Sequence, residues 1–329
     1  MTMAAVPPAP DAPPRRWRRM GIRLSVSVGL LALLVFLLPW DEVVAAASRM
    51  TVPLYVGALV AFLAAHSIGA VKWRVLIAAS GRNVHLGPRD TAGCYGAGLF
   101  SNLFLPTVVG GDVVRAALAM KSVGSPEAVI LGSMADRLID FAALGLLIGG
   151  GALFAGSEMA GWSGPFLGIL AIVALGSALL LAPLILRRPL DRWPPRFRGH
   201  IARGLVALRH LGRRPGAALL ALTISLLMQS ALITIAAWLG DAVGALAPLW
   251  AWFLAWPLAK AAGMLPVSFG GLGVRDAALA SLLVPFGVPA AIGLVASLAW
   301  QTVMIGAALI GGLVWWLVRP GSRTPAVAS

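Results

Sequence analysis

Leu105-Pro106-Thr107-Val108-Val109-Gly110-Gly111 returns 160 residues later as Leu265-Pro266-Val267-Ser268-Phe269-Gly270-Gly271. Each copy places an Arg four residues beyond its second Gly, Arg115 and Arg275. Each then runs into an Ala/Leu stretch, Ala116-Ala117-Leu118-Ala119 and Ala277-Ala278-Leu279-Ala280. Pro removes a backbone donor and Gly loosens the chain. Both stretches therefore read as breaks at the ends of apolar runs, about 91–109 and 246–266.

The chain around these breaks is too apolar for water. Of 329 residues, 59% are hydrophobic and 12% charged, against roughly 45–50% and about 25% in soluble proteins. No soluble fold of this length buries that much apolar surface, and disorder or a collagen-like fibre is excluded by the same numbers. The expected fold is an all-α polytopic membrane protein. Spanning takes about 20 mostly apolar residues, and six full spans are expected at 24–40, 52–73, 138–155, 164–186, 216–239 and 290–318. Ala45-Ala46-Ala47 after the first run leaves a cleavable leader as its alternative reading. Residues 1–20 read as a disordered basic tail, 21–318 as one transmembrane domain, and 319–329 as a C-terminal tail.

Charge sets the expected orientation. The net charge is +14, and five Arg (Arg15, Arg16, Arg18, Arg19, Arg23) precede the first apolar run. Nine more fall between Arg187 and Arg214, in a loop at 187–215. Under the positive-inside rule these segments, the 72–90 stretch and the tail with Arg319 and Arg323 are cytoplasmic, so both termini are too. Asp41-Glu42, Glu158 and Asp241 mark external loops. The crossings then balance only if 90–137 leaves and returns on the inner side and 241–289 does so on the outer side. Each is a re-entrant loop or a short hairpin, and the re-entrant form is favoured. The halves, about 52–155 and 212–318, form an inverted-topology repeat. Broken segments at matching positions in such a repeat mark the substrate site of a transporter.

Ionisable groups at membrane depth are expensive and so are functional candidates. Three clusters qualify: Asp112 with Arg115; Asp136, Arg137 and Asp140; and Lys260 with Arg275 and Asp276. In the functional reading, Gly110, Gly111, Gly270 and Gly271 expose backbone N–H groups at helix N-termini. Arg115 and Arg275 add fork-shaped donors for a phosphate, and Asn102 lines the cavity. Asp112, Asp136, Arg137, Asp140, Lys260 and Asp276 balance charge or carry protons. Blander readings stand beside these. Arg115 and Lys260 snorkel to an interface; Asp136-Arg137 is a boundary ion pair; Asp276 neutralises Arg275 or caps a helix. The Gly pairs serve close helix packing, and Asn102 satisfies freed backbone.

Other chemistry is not encoded. The single Cys94 excludes a disulfide framework and a thiolate metal cluster. His66, His200 and His210 lack metal-ligand spacing, and no metal or other cofactor is expected. There is no P-loop, dinucleotide fingerprint, zinc motif or nucleophile elbow, so the chain is not expected to be an enzyme. The Arg loop suits the anionic inner leaflet or a docked lipid-modifying enzyme, not nucleic acid. The late Trp cluster suits interfacial belts.

Gly110-Gly111-Asp112-x-x-Arg115, then Asp136-Arg137-x-x-Asp140, then Pro266-x-x-x-Gly270-Gly271-x-Gly273-x-Arg275-Asp276 resemble the transmembrane region of lysylphosphatidylglycerol synthases. The resemblance covers about 20–318. The last motif often ends in Glu in that family; Asp276 keeps the charge with a shorter reach. The resemblance implies a flippase-like domain of the bacterial or archaeal plasma membrane, whose partner is a lipid with an anionic headgroup. The full synthases carry a soluble aminoacyl-transfer domain after this region. The expectation is a stand-alone member that does not perform lysyl transfer itself. A non-transporting subunit that docks a glycosyltransferase or acyltransferase is the rival expectation.

Overall fold

Proline opens four of the long or broken helices, at Pro53, Pro88, Pro126 and Pro215. Its missing N–H and fixed φ suit a first helical turn. The computed structural model describes residues 40–81, 84–105, 110–155, 212–263 and 273–318. Among the described residues it is all-helical. The elements are α1 (Trp40–Ala47), α2 (Val52–Ser80), α3 (Pro88–Ser101), α4 (Gly110–Val123), α5 (Pro126–Ala155), α6 (Pro215–Val243), α7 (Leu249–Gly263), α8 (Val274–Leu283) and α9 (Ala290–Val318), with a 3₁₀ turn at Val284–Phe286. The expected spans 24–40 (but for residue 40) and 164–186, most of the Arg loop and both tails lie outside the described residues. So do Pro106, Gly270 and Gly271.

Among the described residues three helices are long and apolar enough to cross a membrane: α2, α6 and α9, each of 29 residues. They begin and end close to the expected spans, except that α2 continues from 73 to Ser80. They are apolar around most of their circumference, and Val60, Leu227 and Leu309 stand exposed on their outer faces. That is the surface a bilayer covers. The larger departure is α5. A span beginning at 138 is expected, but the helix starts at Pro126 and runs 30 residues. Asp136, Arg137 and Asp140 therefore sit in its middle third, not at its edge. Helix ends follow local chemistry. Gly244, at φ 95°, stops α6, and Ala245 N–H returns to Gly240 O at 2.8 Å, the wrapped end that a left-handed Gly permits.

The long helices α2, α5, α6 and α9 pack on one another: α2 meets α5 and α6, and α6 meets α5 and α9. The short pairs α3–α4 and α7–α8 each fold back on themselves. The packing then crosses over. α9 lies along α3, and α5 lies along α7. Small residues let these backbones approach. A Cβ on Gly311 would stand 2.8 Å from Gly96 O, and one on Gly151 would stand 3.0 Å from Leu254 N. Two cores result. One gathers Phe62, Leu239, Trp252, Trp256, Leu279 and Trp300; the other surrounds Trp73, Cys94 and Val129.

Candidate functional site

The second core carries a seam of charge. Lys72 on α2 is 1% exposed, Arg115 on α4 is 4% and Asp136 on α5 is 2%. Arg115 reaches Asp136 at 2.7 Å and Asp112 at 3.1 Å. Lys72 reaches Asp136 at 3.0 Å and also pairs with Asp140. Arg137 closes the other end on Asp112. Ser225 on α6 donates its hydroxyl to Asp140 at 2.5 Å. Three cations and three carboxylates thus alternate across α2, α4 and α5, each carboxylate touching two donors. The spacing along α5 explains the geometry. Asp136 and Asp140 are one turn apart and share a face, so one ammonium on α2 serves both.

Arg115 also lies between two rings. Its guanidinium carbon is 4.8 Å from the Trp73 ring centre and 5.2 Å from that of Tyr95. Trp73 is itself held by Ser133 on α5 at 3.0 Å. A planar, delocalised cation suits such a slot better than an ammonium does. Arg115 is enclosed and paired; it does not extend to an interface.

At the first break, Gly110 and Gly111 open α4 and both are buried. Asn102 Oδ1 accepts the Gly111 N–H at 2.9 Å, so that donor is engaged by the chain itself. A Cβ on Gly111 would collide with Gly98 O and Asn102, and the glycine is what lets α4 fold back on α3.

At the second break the charged residues part company. Arg275 turns to α9, donating to Gln301 at 2.7 Å and to Asp276 at 3.0 Å. Asp276 accepts the Gly273 N–H at 2.9 Å and the Ser297 hydroxyl at 2.6 Å. It caps α8 and neutralises Arg275 at once. Among the described residues Arg275 shares no partner with Arg115. The cation that faces the seam from this side is Lys260, in the last turn of α7. It donates to Gln229 on α6 at 3.1 Å. Gln229 stands one turn from Ser225, so one face of α6 links Lys260 to Asp140.

The sequence reading missed Lys72, Ser225, Gln229, Trp73 and Tyr95. By charge alone Lys72 falls with the basic 72–90 stretch expected on the cytoplasmic side. Its signal was its place in Ala70-Val71-Lys72-Trp73, a charge inside an apolar run.

The family model described as the lysylphosphatidylglycerol synthase TM region matches residues 22–312. The chain belongs to that family. All the seam residues, both short helix pairs and Lys260 fall within the matched part of this synthase TM region. It is thus a membrane protein whose setting is lipid metabolism or transport. No curated protein matches the chain.

Proposed function

We propose that this protein moves an anionic or phosphate-bearing lipid between leaflets through the buried seam, which opens to each face in turn. The observation that carries the reading is the neutral network of six charged side chains between α2, α4 and α5. Charge buried in a membrane bundle is costly, and it marks substrate or ion pathways. The network also has spare capacity. Asp112 Oδ2 and the Nε atoms of Arg115 and Arg137 are buried without a hydrogen-bond partner among the described residues, where nearly all such groups are normally paired.

Architecture supports the same reading. The helices of the two halves follow in the order 29, 14, 14 and 30 residues, then 29, 15, 10 and 29. Their contacts match under exchange of halves, including the crossed pairs α3–α9 and α5–α7. We read this as an inverted-topology repeat with both termini cytoplasmic. A helix of 14 residues is about 21 Å long and does not cross a hydrocarbon core of roughly 30 Å. The pairs α3–α4 and α7–α8 are accordingly read as re-entrant. A groove of about 300 Å³ between α2, α3 and α9, lined by Leu63, Ala70, Leu99 and Ile310, brings the lipid side to His66 and Tyr95. Acyl chains fit there while the headgroup meets the seam. We read the protein as a carrier.

The test is translocation of fluorescent phosphatidylglycerol in proteoliposomes. The purified protein should raise the rate well above that of protein-free vesicles. The double variant Arg115→Met/Asp136→Asn, which stays neutral, should return it to the protein-free rate. A wild-type rate equal to that of empty vesicles contradicts the proposal.

A further inference from the structure

We infer that the seam takes a lipid headgroup of one net negative charge, a phosphodiester without an amine, and that Lys260 is its counter-ion. The inference rests on the translocation reading and names its substrate class.

The three seam cations are already engaged. Asp112 holds Arg115 and Arg137, Asp136 holds Lys72 and Arg115, and Asp140 holds Lys72 together with the Ser225 hydroxyl. A phosphate binding Arg115 directly would push a carboxylate off its partner and leave it buried without a counter-charge. Lys260 differs. Its hydrogen-bond partner is the neutral amide oxygen of Gln229, itself 3% exposed. Asp140 and Asp112 attract it, while Arg137 and Lys72 repel it. The seam, neutral as a whole, therefore leaves the ammonium uncompensated. The carbonyl end of α7 contributes only the partial charge of a helix dipole.

Arg74, also on the groove, is exposed and screened by water and salt; the other ionisable neighbours among the described residues do not change the sum. His66 stacks on Phe62 at 4.1 Å, and its Nδ1 is 3.1 Å from Phe62 O, which suits a neutral ring. Arg275 and Asp276 cancel each other. With Lys260 protonated, the site carries one positive charge among the described residues. In a medium of low dielectric that excess selects strongly. A phosphodiester such as phosphatidylglycerol brings the total to zero. A zwitterionic phospholipid leaves it unchanged, and a headgroup with a net positive charge raises it.

Native mass spectrometry of lipid retained by the purified full chain tests this, with phosphatidylglycerol and phosphatidylethanolamine supplied in equal amounts. The wild type should retain the anionic lipid at least fivefold over the zwitterionic one. Lys260→Gln should bring the ratio to parity, and Lys260→Arg should keep it. Lysylphosphatidylglycerol, whose headgroup is a net cation, should be retained no better than phosphatidylethanolamine. An unbiased wild type, a preference that survives Lys260→Gln, or strong retention of the lysyl lipid overturns the assignment. The wild-type ratio decides alone if Lys260→Gln does not fold. Retention with this selectivity but no movement in proteoliposomes would instead remove the translocation reading and keep the headgroup assignment.

Discussion

Arg115 is held from four directions: Asp112 on its own helix, Asp136 on α5, and the faces of Trp73 and Tyr95. Removing one member of a buried ion pair leaves the other uncompensated and costs about 3–5 kcal/mol. Arg115→Met should therefore lower the thermal unfolding midpoint in detergent sharply. Adding Asp136→Asn should recover much of the loss, since neither change then strands a buried charge. No recovery in the double variant would contradict the pairing. The individual acids and arginines were legible in the sequence because charge is rare in apolar runs. Their partners were not. Lys72 and Asp140 are 68 residues apart in the chain, with two helices, α3 and α4, between their own, and no local spacing encodes that meeting. The same holds for Arg275, whose partner Gln301 lies 26 residues away on α9.

At the level of elements, α3 and α4, each of 14 residues, fold back on one another. α3 and α9 cross closely. There a side chain on Gly96 would enter the Gly311 backbone, and no rotamer can relieve that clash. Gly96→Leu should cost about 1–3 kcal/mol or more, as overpacking does, and reduce the yield of folded protein. Gly150, in α5 with open space around its Cβ position, is the control. Gly150→Ala should be neutral or stabilise by roughly 0.5–1 kcal/mol through helix propensity. Equal losses in both variants, by thermal melting, would remove the close-packing account. Hydropathy located α2, α6 and α9 well because lipid-facing helices carry the plainest signal. It placed the start of α5 twelve residues late, at 138 instead of Pro126. Asp136, Arg137 and Asp140 resemble a span boundary until Lys72, Arg115 and Asp112 are known to neutralise them.

For the whole molecule, the crossed packing matters most. α5 of the first half is seated on α7 of the second, and α9 of the second on α3 of the first. Ser225 on α6 lies at the junction, fully buried and bonded to Asp140. A rocking of one half against the other would uncover it first to one face and then to the other. The most direct measurement is its accessibility. Ser225→Cys is placed in a Cys94→Ala background and labelled with a membrane-impermeant maleimide in vesicles of each orientation. Ser225→Cys keeps a small donor beside Asp140, and Cys94 is the chain's one native thiol. Labelling from both faces is the predicted result, slowed when phosphatidylglycerol is abundant. Labelling from one face only, or from neither, would contradict a seam that opens to each side in turn.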